Sequence, residues 1–319
     1  MKKTLVALSV LAASAGSAQA FEVYNQDGVT VGLHGDIEVV YKNALDSSSY
    51  QQEIQDADFG FDVRYAINDE VSFGGYWEFD GASGDVTKGK STSAEVGDTY
   101  VALYSQSYGS VKVGRTCSAL DDAGIGSDYQ FGIKTFFSGD EAYCGDEMVR
   151  YDLDTESFYM TAAFVQDKNG SESIADDGQH ADLKLGYRVA DFDFTAFVGN
   201  SDLDSGSTEM LTALEARFAG IKDINLSAGF YSLDKERKVL EDMKTNTIAL
   251  AADYTMADWL FAAGYSFSSD DTKGSDDVQT WYVNGGYALA PNTTAYAEVG
   301  GNDVKDSEIG LAVGVKASF

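Results

Sequence analysis

Strict two-residue alternation recurs along this chain, and the non-apolar side of that alternation is made of residues a soluble sheet rarely presents. In the last segment Ile309, Leu311, Val313, Val315, Ala317 and Phe319 share one side, and Glu308, Gly310, Ala312, Gly314, Lys316 and Ser318 the other. Phe59, Phe61, Val63, Tyr65 and Ile67 alternate likewise with Asp58, Gly60, Asp62, Arg64 and Ala66. Side chains on a strand point to opposite faces with a period of two, so each segment reads as a strand with one oily face. A soluble antiparallel sheet also alternates. The second face separates the two cases. It mixes glycine with both signs of charge, as in Asp182, Lys184, Gly186 and Arg188, or Glu215 and Arg217. Small and charged residues around a wet interior, with apolar ones turned to lipid, are the pattern of a transmembrane barrel. Tyr41, Tyr65, Tyr254, Tyr265, Phe267 and Phe319 fall near segment ends, where interfacial aromatic girdles belong. Such a sheet must close on itself, because unpaired edge groups in lipid have no water to bond.

Sixteen segments of this kind run from 30–42 to 306–319, among them 57–67 and 148–153. Short turns such as Asn68-Asp69-Glu70, Ala190-Asp191 and Ala290-Pro291-Asn292 alternate with longer acidic connections. The fold class is therefore all-β, a transmembrane 16-stranded antiparallel β-barrel, with the short turns on the periplasmic side. At this strand number the interior is an aqueous channel rather than a packed core. Residues 1–20 stand apart: Lys2 and Lys3, the apolar run Leu5 to Ala13, and Ala18-Gln19-Ala20 form a secretory signal peptide with cleavage after Ala20. The barrel occupies 21–319, and no second domain or linker is evident.

Composition excludes other classes. With 52 Asp and Glu against 22 Lys and Arg, a net charge of −30, the surface would repel nucleic acid. The two histidines, His34 and His180, lack a partner pattern for zinc or catalysis and read as solvated or lumen residues; no metal or cofactor is expected. Cys117 and Cys144 flank the longest stretch without alternation, 116–147. Beyond the inner membrane they either form a disulfide or remain two free buried thiols.

The chain resembles the trimeric general porins of Gram-negative outer membranes, closest to vibrio-type porin-like proteins. The resemblance rests on Phe21-Glu22-Val23-Tyr24-Asn25-Gln26-Asp27-Gly28, Tyr108-Gly109-Ser110-Val111-Lys112-Val113-Gly114-Arg115, Ser138-Gly139-Asp140-Glu141-Ala142-Tyr143 and the terminal Phe319. It implies passive diffusion of small hydrophilic solutes and ions, a homotrimer in the outer membrane, and Phe319 as the signal read by the barrel-assembly machinery. It also implies that segment 116–147 is a third loop folded inward, carrying Asp121, Asp122, Asp128, Phe136, Asp140 and Glu141 to a constriction. In the family, loop acids oppose a basic ladder on the wall. Arg115 and Arg150 match that ladder, although Arg115 shares its strand side with Val111 and Val113 unless Gly114 carries a bulge. Phe136 replaces one loop acid, and Asp36 and Asp58 replace two ladder cations.

Parity places Asp36, Glu38, Asp58, Asp62, Arg64, Glu78, Arg150, Asp182, Lys184 and Arg188 on the pore wall. Exchange of a cation for Asp changes local charge by two units inside low-dielectric walls, so the expected channel is cation-selective. Acids such as Asp176-Asp177, Asp270-Asp271 and Asp276-Asp277 lie in outer loops, where they would meet lipopolysaccharide through shared divalent cations. Two other readings stand beside the general channel. A substrate-specific channel would use lumen aromatics, for which Tyr76, Tyr231 and Tyr282 have the parity. A barrel enzyme would need a nucleophile, base and acid together, and the sequence has no G-x-S-x-G elbow.

Overall fold

The computed structural model describes residues 21–81, 95–134, 144–168, 178–203, 206–238, 241–272 and 274–319. The leader at 1–20, Phe136, Asp140, Glu141 and Asp176-Asp177 lie outside the described residues. Nearly everything described is strand: β1 (Phe21–Gln26), β2 (Val29–Asn43), β3 (Tyr50–Ala66), β4 (Val71–Asp80), β5 (Glu95–Ser105), β6 (Gly109–Cys117), β7 (Cys144–Asp154), β8 (Phe158–Gln166) and β9 (Gln179–Val189). The order continues with β10 (Phe192–Asp202), β11 (Thr208–Ile221), β12 (Ile224–Glu236), β13 (Met243–Met256), β14 (Trp259–Asp270), β15 (Val278–Ala290), β16 (Thr293–Asn302) and β17 (Gly310–Ser318).

From β2 onward each strand pairs antiparallel with the next, and β17 returns to β2 with Val315 opposite Val39, which closes a ring of sixteen. β1 uses the same edge of β2 farther along, with Phe21 opposite Leu33 while Ser318 lies opposite Asp36. The two terminal strands thus fill one position end to end. Phe319 exchanges backbone hydrogen bonds of 2.9 Å with Gly35, completing the seam. Closure is what lets such a wall span lipid.

The outer face carries the exposed apolar side chains, including Leu214, Leu250, Trp259, Val283 and Val313. A soluble protein would hide such a surface. At the short-turn rim Trp259 stacks on Phe261 at 5.6 Å and Phe192 on Phe194 at the same distance. Ala190 and Ala257 adopt left-handed φ of 52° and 53°, as two-residue hairpin turns require.

Several boundaries differ from the alternation. β1, at 6 residues, is too short to stand out by alternation. β3 begins at Tyr50 rather than 57 because an extra residue, Gln55, is accommodated between the pairs Glu38–Asp56 and Val39–Ile54 and resets the parity. β7 begins at Cys144 rather than 148, because a register shift opposite Gly114 and Thr116 breaks the alternation of its first residues. β17 begins at Gly310, since Val304 to Ser307 form a turn closed by a 3.1 Å hydrogen bond. The inner face is also less uniformly polar than expected. Phe197, Leu211, Ala213, Leu233, Ala249 and Ala251 face inward on β10–β13 and form a buried cluster with Leu120, Ala123 and Ile125.

Candidate functional site: the inner wall and the β6–β7 loop

The loop after β6 has its two roots joined. Cys117 and Cys144 stand opposite each other on β6 and β7 and are disulfide-bonded, 27 residues apart in sequence. Beyond this lies a single 3-10 turn, Ala119–Asp122, and then irregular chain to Lys134. Irregular backbone packed against protein must find partners for its N–H groups. Wall carboxylates supply them. Asp182 on β9 accepts from Ala119 and Leu120 at 3.2 and 2.9 Å, and Glu215 on β11 accepts from Gly124 at 2.7 Å. Glu298 on β16 accepts from Tyr129, Gln130 and Phe131 at 2.6, 2.9 and 2.6 Å. Between these points Ser127 N–H donates to the Tyr282 hydroxyl at 2.8 Å and Ser127 Oγ to Asp253 at 3.0 Å. Hydrogen bonds to ionised acceptors are roughly twice as strong as neutral ones.

The segment is two-sided. Leu120, Ala123 and Ile125 are buried against the apolar cluster on β10–β13, while Asp121, Asp122 and Asp128 remain exposed. Surrounding protein still displaces bulk water around two of these acids. Partial desolvation raises the Asp121 carboxyl, with Asp122 adding repulsion, and raises that of Asp128, with Glu298 adding repulsion. A cavity of about 800 Å³ runs between Asp121–Tyr129 and the wall residues Asp154, Lys184, Arg188, Asp193 and Arg217.

Opposite charges occupy different parts of the wall. On β2–β4, Asp36 lies directly across from Asp58, and Asp58 from Asp80. Carboxylate oxygens of Asp36, Asp56 and Asp58 come within 4.8 Å of one another, and no described cation forms an ion pair with these three. Nearby, Glu78 accepts from the Tyr76 hydroxyl at 2.8 Å, and Glu38 accepts from Gln130 at 2.7 Å and from Tyr296. Asp62 is held by Arg64 at 2.7 Å. On β6–β11 the cations are matched by acids. Lys112 pairs with Asp152 at 3.3 Å, Arg188 with Asp154 at 2.6 Å, Arg217 with Glu215 at 2.8 Å, and Lys184 with Asp122. Arg150 reaches Asp152 at 2.9 Å, the carbonyls of Cys117 and Ser118 at 2.9 and 3.1 Å, and Asp122 at 3.4 Å.

Three sequence expectations need correction. The register pairs Arg115 with Thr99, on the side of Val111, Val113 and Val101, and Arg115 bonds Asp146 at 2.6 Å; the irregularity near Gly114 falls on the β7 side and does not turn Arg115 inward. Asp182 has the expected parity but is buried beneath the loop and faces no water. His180 is neither solvated nor open to the lumen: at 1% exposure it lies between Ser201 at 2.8 Å and Asp182 at 3.2 Å. Asp56, Asp80, Lys112 and Glu298 join the site beyond the residues expected from the sequence. Parity alone would have found the last three, and the extra residue at Gln55 concealed Asp56.

A profile of Gram-negative porins matches residues 7–307. The chain belongs to this porin family. Among relatives of this porin, Porin-like protein H of Photobacterium profundum is 27% identical over 340 positions, covering 100% of both chains. Outer membrane protein U of Vibrio parahaemolyticus is also 27% identical, over 367 positions and again 100% of both. Among solved structures, the trimer form of OmpT, an outer membrane protein of Vibrio cholerae, superposes with a TM-score of 0.76 at 17% identity, covering 92% of this chain and 100% of the other. That likeness carries the barrel. Family and fold together make the porin an outer-membrane protein forming a channel.

Proposed function

We propose that this porin is a general, cation-selective diffusion channel whose passage is narrowed by the segment following β6, and that it works as a homotrimer after cleavage behind Ala20. The observation that carries the selectivity is the asymmetry of the wall. Asp36, Asp56 and Asp58 form a group of three carboxylates that no described cation offsets, whereas Lys112, Arg150, Lys184, Arg188 and Arg217 are each matched by an acid. The residual field in the passage is negative, and rings of acids favour cations. Asp121, Asp122 and Asp128 add to it from the loop side. Support for the narrowing comes from the loop's hydrogen bonds to Asp182, Glu215 and Glu298 on the inner face. The trimer follows the form recorded for the Vibrio cholerae neighbour. Contact with lipopolysaccharide, and reading of Phe319 by the assembly machinery, belong to the same proposal.

The alternatives gain no support from particular residues. Tyr231 and Tyr282 are buried at 1% and 0% exposure, and offer no sugar track. Tyr76 is sandwiched between His34 at 4.7 Å and Tyr100 at 5.0 Å, so its ring faces are occupied. The Ser201–His180–Asp182 chain has the order of a hydrolytic triad, but Ser201 is fully buried and Asp182 already accepts two loop N–H groups. No substrate carbonyl can approach it. Swelling of proteoliposomes in isotonic sugars of increasing size tests the reading. Uptake should fall smoothly with solute size and show no saturation; saturable uptake of one sugar would favour a specific channel instead.

A further inference from the structure

Four inward-facing wall glycines each lie beneath a loop side chain, so close that a Cβ at any of them would require that side chain to shift. A Cβ at Gly199 on β10 would stand 2.4 Å from Leu120 Cδ1, and one at Gly286 on β15 would stand 2.2 Å from the Tyr129 hydroxyl oxygen. Gly300 on β16 and Gly310 on β17 are direct cross-strand partners, and both lie under Phe131, with added Cβ atoms 2.4 and 2.3 Å from its side chain. None of the four has the left-handed backbone that would by itself call for glycine. Glycine in a regular strand is otherwise unfavourable, and its presence marks close approach of another group. Each seat is also reinforced nearby. Leu120 N–H is held by Asp182, which is paired across the strands with Gly199; Tyr129 stacks on Tyr296 at 4.0 Å; and Phe131 N–H is held by Glu298.

We propose that Gly199, Gly286 and the Gly300–Gly310 pair are sockets that fix how deeply the loop sits against the wall, and that they thereby set the width left for solutes. They act as positioning residues, through Leu120, Tyr129 and Phe131, and carry no charge of their own. The inference rests on the channel reading above. Gly310→Ala would leave its new methyl about 1 Å short of ordinary contact with the Phe131 ring; with the Phe131 Cβ seated at Gly300 and its N–H held by Glu298, the displaced ring turns or carries the loop toward the passage.

The test compares unitary conductance and reversal potential in planar bilayers for the full-length wild type, Gly310→Ala, Phe131→Ala, the double variant, and Gly75→Ala, whose added Cβ meets nothing within 4 Å. Gly310→Ala should lose conductance with its reversal potential unchanged. The double variant should conduct like Phe131→Ala alone, because no ring remains to be displaced, and Gly75→Ala should match wild type. If Gly310→Ala does not assemble but the double variant does, that rescue also locates the clash at the ring and supports the socket. Wild-type conductance in Gly310→Ala, equal losses in the single and double variants, or failure of both to assemble would overturn the proposal. A silent wild type would instead remove the channel reading on which it stands.

Discussion

Reversal of one charge on the acidic wall has a calculable effect. Asp58 sits midway in the row formed with Asp36 and Asp80, close to Asp56, and no described cation pairs with it. An ion passing one Debye length away, about 8 Å, feels roughly 0.5 kcal/mol from a unit charge at the dielectric constant of water, and about 0.2 kcal/mol after screening. Asp58→Lys changes the charge by two units and acts with opposite sign on cations and anions. Their relative energies therefore shift by about 0.8 kcal/mol, and the cation-to-anion permeability ratio should fall about fourfold. Asp58→Asn should give about half that free-energy change, or roughly a twofold fall. Zero-current potentials across a planar bilayer with a salt gradient read both effects directly. They should diminish as ionic strength rises on both sides. Folding is not at risk from this change, since a lysine beside Asp36, Asp56 and Asp80 relieves repulsion between like charges. A normal conductance with an unshifted reversal potential would refute the assignment of selectivity to this wall.

Other consequences are open to measurement. Replacement of Cys117 and Cys144 by serine removes a cross-link 27 residues apart, worth about 3.5 kcal/mol in the chain-entropy account, and should lower the thermal midpoint and increase open-channel noise. Glu298→Gln puts amide hydrogens where a carboxylate accepts from three loop N–H groups; a loss of about 3 kcal/mol is expected, seen as current flicker before global unfolding. Because Asp121 and Asp128 titrate above the ordinary aspartate range, mild acidification should reduce cation preference before the ordinary acids protonate near about pH 4, and reversal potentials recorded as the pH falls should show it. The folded loop binds these protons more readily than an unfolded chain does, so the same acidification does not weaken it through these two groups. Deletion of Phe319 removes both hydrogen bonds to Gly35 at the seam and should lower the yield and heat resistance of the folded barrel.

What was legible in the sequence follows from which forces act locally. Lipid outside and water inside dictate parity along each strand, so Phe59 and Val313 against Asp58 and Lys316 revealed the wall without tertiary information. The same parity already set Arg115 beside Val111 and Val113, and the register with Thr99 agrees with it. Parity does not reveal what covers an inward residue. Asp58 and Asp182 look alike in their strands, yet one belongs to the open acidic row and the other lies beneath Leu120. That difference depends on where an aperiodic loop settles. Gly300 and Gly310 likewise read as small lumen residues, and only the placement of Phe131 gives them a reason.

Single-channel recording of the purified wild-type protein, taken from detergent into a planar bilayer under a salt gradient, tests the central claim most directly. An open cylinder with an acidic inner wall predicts discrete conductance steps and a zero-current potential of the sign set by cation flow. Bilayers that stay silent despite inserted protein, or steps whose reversal potential has the anion sign, would contradict it.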